Sequence, residues 1–200
     1  MADKRKNVVL IGMPGAGKST IGVLLAKSLL MEFQDTDLVI QKKCKKSLCD
    51  IMDEVGVEAF IEKENEIIKS CDFENSVVAT GGSAVYGKEA MERLSENGTV
   101  VYLSIPVEEL ERRISNIHTR GVAMKKGTTL YDLFEERRPL YEGYADITVE
   151  CMGLTAEECV EKITEELGFG KWASSPKRAL WAVKRGEDGA AVKIHRRSKP

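Results

Sequence analysis

No apolar run in this 200-residue chain approaches the ~20 residues that span a bilayer; Val8–Gly12 and Ile21–Ala26, the longest, stop far short. The N-terminus, Met1-Ala-Asp-Lys-Arg-Lys, leads straight into a short apolar segment, without the apolar region and small-residue cleavage site of a secretory signal. Five cysteines (Cys44, Cys49, Cys71, Cys151, Cys159) form neither a Cys-x-x-Cys pair nor an even disulfide set, so reduced thiols in a cytoplasmic protein are expected. No internal repeat is present. What remains is 42% hydrophobic and 31% charged, the composition of a globular protein long enough to bury a core without disulfide or metal.

The net charge of −2 averages two unlike parts. Residues 171–200 carry nine Lys and Arg against Glu187 and Asp188, a net +7, which leaves −9 on residues 1–170. Both tryptophans, Trp172 and Trp181, lie in the basic part. Its charges are scattered and trace no amphipathic face, so neither a nucleic-acid arm nor a membrane arm is expected. Mixed Ser, Pro, Gly and Lys without periodicity predict a disordered extension, with the folded domain ending near Gly168-Phe-Gly170.

Within residues 1–170 the pattern alternates. Asn7–Gly12, Ser76–Thr80 and Thr99–Ile105 read as strands buried on both faces. Helices are predicted over Ser19–Leu30, Cys49–Cys71 with a break near Gly56, Lys88–Asn97 with a C-cap at Gly98, and Pro106–Ile117. Another is expected over Leu130–Tyr141, ending around Pro139, before a strand at Asp146–Glu150 and a helix at Thr155–Leu167 with a Thr155/Glu158 capping box. Alternation of this kind predicts an α/β fold: a parallel sheet with helices on both faces, three layers in all.

Gly12-Met-Pro-Gly-Ala-Gly-Lys-Ser19 matches GxxxxGK[ST] between a buried strand and a helix, the context a P-loop requires. A chance match to those fixed positions is expected about 0.01 times per chain. Unpaired backbone N–H groups at the helix start hold phosphate, Lys18 reaches the β/γ-phosphates, and the Ser19 hydroxyl binds Mg2+. The chain lacks the Asn-Lys-x-Asp of switch GTPases and the apolar run ending in Asp-Glu of large ATPases. It has instead Phe33-Gln-Asp-Thr-Asp37 after the first helix, where an open α/β sheet gathers ligands. Two carboxylates two residues apart on an extended segment can serve one site, one near a metal and one near an acceptor hydroxyl. Gly81-Gly82, at the end of Val77-Val-Ala-Thr, marks close approach of backbone to ligand.

The wording GMPGAGKST, the DTD segment, VVATGG and the late RRPLYEGYADI together resemble the shikimate kinase family, from about Asn7 to Leu167. That resemblance implies a P-loop kinase core similar to the nucleoside monophosphate kinases, with a mobile lid at about residues 113–130 and a small substrate-binding segment. It implies transfer of the γ-phosphoryl group of ATP to a hydroxyl of a small metabolite. Carried over by position, Gly15, Ala16, Gly17, Lys18, Ser19 and Thr20 would hold the phosphates, with Ser19 on Mg2+ and Asp35 near the metal. Asp37 would bond the attacking hydroxyl, and Gly81 and Gly82 would offer backbone to the substrate. Arg113 would stack on adenine, Arg120 approach the transferring phosphate, and Arg137 grip a substrate carboxylate. Arg138 and His118 are read as solvated and loop residues. The implied partner is a small hydroxy acid, and a monomer is expected.

Three departures fall on the acceptor side or in the lid. Where the family carries GxxxFRxxE, this chain reads Gly56-Val-Glu-Ala-Phe60-Ile61-Glu-Lys-Glu64. Ile61 cannot form the bidentate pair of an arginine, a contact worth ~1.5–3 kcal/mol. Ser83 stands in place of a third glycine, and Arg120-Gly-Val-Ala replaces Arg-Pro-Leu-Leu. Three readings stay open here: a kinase converting shikimate to shikimate 3-phosphate, a related kinase of another hydroxy acid such as homoserine, and a non-catalytic ATP-binding regulatory domain.

Overall fold

The computed structural model describes residues 7–114, 121–125 and 127–169. Arg120, His118 and the basic segment 171–200 lie outside the described residues.

Five parallel strands form one sheet in the order β2-β3-β1-β4-β5. Central β1 (Asn7–Ile11) is buried along its whole length, and so is its neighbour β3 (Ser76–Ala79). Val9 pairs with Val78 on one side and Val100 of β4 (Gly98–Ser104) on the other. β2 (Glu32–Asp35) and β5 (Ile147–Glu150) are the edges, and each exposes part of its length. The unalternating Val and Ile runs thus occupy the centre, where helices cover both faces. α1 (Lys18–Leu29) and α8 (Ala156–Glu166) pack together on one face. α5 (Lys88–Asn97) and α7 (Leu130–Tyr144) follow β3 and β4 on the other. The helices after β1 and β3 leave in opposite directions, which opens a crevice at the carboxyl ends of those two strands.

A second, smaller core lies between α2 (Thr36–Cys44), α3 (Leu48–Val55) and α4 (Val57–Lys69). Ile40, Leu48, Ile51, Phe60 and Ala123 are buried in it, and Ile61 packs against it. The expected break at Gly56 separates α3 from α4, where Gly56 has φ 83°. The Thr155/Glu158 capping box forms as the spacing predicts. Among the described residues no helix is long and apolar enough to cross a membrane.

Four local expectations are corrected. The DTD segment is not extended throughout: Asp35 ends β2 and caps α2, so Asp37 sits in the first helical turn. Gly98 is the C-cap of α5 as expected, but extended (φ −139°) rather than left-handed, because it is also the first residue of β4; a Cβ there would lie 2.8 Å from Val9 and 2.9 Å from the Leu94 carbonyl. The helix predicted over Pro106–Ile117 is α6, Val107–Arg113, with residues 115–117 outside the described residues. Pro139 does not end its helix; α7 runs on to Tyr144. A proline inside a helix costs about 3 kcal/mol. Beyond it, fully buried Tyr141 stacks on Tyr102 at 5.2 Å and donates from its hydroxyl to the Gly82 carbonyl at 2.7 Å, and these contacts hold the last turn.

Candidate active site

The P-loop leaves β1 and turns into α1 with Gly17 at the helix N-cap, φ 91°. No side chain caps this helix start, so its N–H groups stay available to an anion at the positive end of the helix dipole. Lys18 folds back over the loop and donates from Nζ to the carbonyls of Gly12 (2.7 Å) and Met13 (2.9 Å). Burial lowers its pKa to about 8, with Asp37 opposing that shift. An anion beside Nζ would raise that pKa again and hold the charge in place.

The carboxylates come from β2 and α2. Asp35 Oδ2 accepts from Ser19 Oγ at 2.7 Å, while its Oδ1 accepts from the Asp37 N–H at 3.0 Å. Asp35 therefore joins the P-loop to the α2 N-terminus. Asp37 projects into the cavity, and burial, with the negative Asp35 behind it, raises its pKa to about 6. Between them, Thr36 accepts from the Gly81 N–H at 3.0 Å and ties this turn to the end of β3.

The cavity above these groups has a volume of about 430 Å3. Gly15, Gly17, Lys18, Ser19, Thr20, Asp37, Gly81, Gly82, Arg113 and Arg137 all line it, so one space collects most of the residues expected from the sequence. Ala16 does not line it; its side chain is buried and its N–H bonds to the Met13 carbonyl at 3.1 Å. Arg113 projects from α6 and donates from Nε to Glu109 at 2.9 Å. Arg137 is fully enclosed: Nη2 donates to the Ala123 carbonyl at 2.6 Å, Nε to the Tyr86 hydroxyl at 3.2 Å, and Nη1 has no partner. Arg138 is half-exposed beside Glu135 and Phe134, as a solvated charge should be.

The structure adds residues that motif reading passed over. Glu64 is 1% exposed, accepts from Ser83 Oγ at 2.6 Å through Oε2, and keeps Oε1 unpartnered. Burial raises its pKa to about 7, with the Ser83 hydrogen bond opposing and Asp37 adding to the shift. A signal existed: Phe60, Glu64 and Ile68 fall four residues apart on α4, which puts an acid in an apolar stripe. Tyr86 and Tyr141 left no comparable signal.

The arrangement joins a P-loop anion site to a pocket lined by one carboxyl group, Asp37, and one arginine, Arg137. A hydroxyl bonded to Asp37 would face the phosphate end, where Lys18 supplies positive charge. The Ser19–Asp35 pair offers a hydroxyl and a carboxylate, oxygen donors suited to Mg2+ completed by phosphate oxygens and water.

Known proteins share this sequence pattern and fold. The family model "Shikimate kinase" matches residues 14–168. A shikimate kinase of Francisella tularensis subsp. holarctica is 42% identical over 165 residues, covering 80% of this chain and 94% of its own length. Among solved structures, a shikimate kinase from Acinetobacter baumannii in complex with shikimate superposes with TM-score 0.74 at 32% identity, over 82% of this chain and 94% of that one. Shikimate kinase from Aquifex aeolicus gives TM-score 0.69 at 32% identity, over 81% and 96%. With the family model spanning most of the chain and relatives of 42% identity and the same fold beside it, the chain belongs to the shikimate kinase family.

Proposed function

We propose that this protein transfers the γ-phosphoryl group of ATP to a hydroxyl of shikimate, forming shikimate 3-phosphate and ADP. The observation that carries the reading is the single cavity shared by Lys18 of the phosphate loop, Asp37 and the free arm of Arg137. Residues 1–170 form the catalytic domain in this reading, and residues 171–200 take no part in the chemistry.

Each group has a task. The P-loop N–H groups and Thr20 hold the triphosphate, and Lys18 neutralises charge on the β/γ oxygens. Asp37 accepts a hydrogen bond from the attacking hydroxyl and orients its lone pair toward the γ-phosphorus. As the new O–P bond forms, the bond to the β-phosphate oxygen breaks and the hydroxyl proton passes to Asp37. Ser19 and Asp35 would hold Mg2+, which supplies positive charge to the phosphates when bound. Arg137 pairs with the substrate carboxylate, Gly81 and Gly82 let the acceptor approach the backbone, and Arg113 stacks on adenine. Arg120 carries its role at the transferring phosphate by resemblance.

Incubation with Mg-ATP and a panel of shikimate, homoserine and sugar acids, following ADP release, tests the reading. Turnover of shikimate well above the others is expected. Turnover of homoserine alone, or ATP binding without turnover of any acceptor, would overturn it.

A further inference from the structure

Arg137 is held on two of its three nitrogens and lies over the Tyr86 ring. The Ala123 carbonyl takes Nη2 at 2.6 Å and the Tyr86 hydroxyl takes Nε at 3.2 Å. The Tyr86 ring also lies beneath the guanidinium, 5.1 Å from Cζ to the ring centroid. Nη1 alone is unpartnered although buried, and a Cβ built on Gly82 would sit 3.0 Å from it. The open arm therefore faces the glycine turn of the acceptor pocket.

Tyr86 ends the 3-10 turn Ala84–Tyr86 that follows this glycine turn. Its own O–H donates to Glu136 Oε1 at 2.8 Å. That bond commits the phenolic hydrogen, which leaves an oxygen lone pair for the Nε–H of Arg137. Glu136 and Arg137 are consecutive in α7, so a single phenol spans both side chains and fixes the rotation of the guanidinium plane.

We propose that Tyr86 is a positioning residue for acceptor recognition, aiming the one open arm of Arg137 at the substrate carboxylate. The proposal rests on the reading of Arg137 as the carboxylate ligand. A carboxylate held through Nη1 depends on where its two N–H groups point, because hydrogen bonds weaken steeply when misaligned. With one Nη2 hydrogen committed to the Ala123 carbonyl and Nε–H to the Tyr86 hydroxyl, the guanidinium plane is fixed and cannot turn to compensate. Tyr86 thus acts on acceptor affinity, whereas the phosphate loop and Asp37 act on transfer.

Steady-state kinetics of the full chain, varying shikimate and ATP separately, tests this with Tyr86→Phe, which keeps the ring and deletes the acceptor oxygen. KM for shikimate should rise about tenfold, the scale of a lost hydrogen bond to a charged group, with kcat and KM for ATP within about twofold. Shikimate methyl ester, which lacks the carboxylate charge, should show no added penalty from the substitution. In an Arg137→Lys background, Tyr86→Phe should add nothing. Glu136→Gln, which leaves the core untouched, should raise KM for shikimate about threefold by loosening the phenol, and serves if Tyr86→Phe folds poorly. An unchanged KM in both variants, or an equal loss toward shikimate and its ester, would overturn the role of Tyr86. If Arg137→Lys itself leaves KM for shikimate unchanged, the carboxylate reading of Arg137 falls and this proposal with it. A raised KM in Arg137→Lys with silent Tyr86 and Glu136 variants sinks the Tyr86 proposal alone.

Discussion

Ser83 donates its hydroxyl hydrogen to Glu64 Oε2 at 2.6 Å, and both side chains are buried behind the glycine turn. The bond stabilises a carboxyl group whose burial outweighs the pull of the Arg137 and Lys18 charges on it. Ile61, where the family pattern has arginine, packs instead into the small core beneath α2, α3 and α4. Glu64 is consequently an acid held half-protonated near neutrality, its pKa raised to about 7 chiefly by burial.

That shift has a stability consequence with a definite sign. Between the ordinary carboxyl value of 4.5 and about 7, the folded protein binds more protons than the unfolded chain. Stability from this group is full below that window and is lost as pH rises through it. Urea unfolding at pH 5 and pH 8 without ligands should show wild type losing on the order of 3 kcal/mol more than Glu64→Gln across the window. Identical losses in the two proteins would contradict the burial account.

In its proposed role Asp37 must be ionised to orient the attacking hydroxyl, and its pKa is raised to about 6. The kcat/KM for shikimate should therefore fall on the acid side of about pH 6, whereas an ordinary aspartate would hold activity to lower pH. Asp37→Asn should lower kcat by about 10²- to 10⁴-fold and leave ATP affinity, read by calorimetry, within twofold. Equal loss of both would remove Asp37 from the acceptor side.

Gly81 is small because two carboxyl groups crowd it. A Cβ there would overlap Glu64 and come within 2.7 Å of Asp37 Oδ1. Gly81→Ala should displace Asp37 and cost at least tenfold in kcat/KM for shikimate, since a small misplacement of a catalytic group is expensive. ATP binding by the same variant should persist.

Ser19 gives its hydroxyl to Asp35 and stands at the mouth of the phosphate loop. Ser19→Ala should weaken the Mg2+ dependence of activity, raising the Mg2+ concentration for half-maximal rate roughly tenfold or more. Unchanged magnesium dependence would place the metal elsewhere.

A chain truncated after residue 170 should match the full chain in kcat, both KM values and melting temperature. A truncated protein with altered kinetics would tie the basic segment to the catalytic domain.

Much of the fold was legible because its signals are local. Short unalternating Val and Ile runs between helical stretches predicted the buried parallel strands, and the Thr155/Glu158 spacing predicted a cap. Where expectation failed, a distant contact had overridden a local rule. Pro139 should have stopped α7, but Tyr141 finds Tyr102 and Gly82 from other elements. Gly98 caps α5 as expected, but in the extended conformation because it also pairs with Asn7 as the first residue of β4.

The site divides in the same way. The phosphate half was determined by the sequence alone: glycine spacing, Lys18 and Ser19 lie in one strand–turn–helix, so their geometry follows from consecutive residues. On the proposed acceptor side, resemblance pointed to Asp37, Gly81, Gly82 and Arg137, but only tertiary structure brought them together and added Glu64 and Tyr86. Asp37, Glu64, Ser83, Tyr86 and Arg137 belong to separate segments, and they meet because parallel pairing of β2, β3 and β1 sets the ends of those strands side by side. Burial then tuned what pairing assembled, since removal from water raises the carboxyl pKa values of Asp37 and Glu64 and confines Arg137 to one open arm.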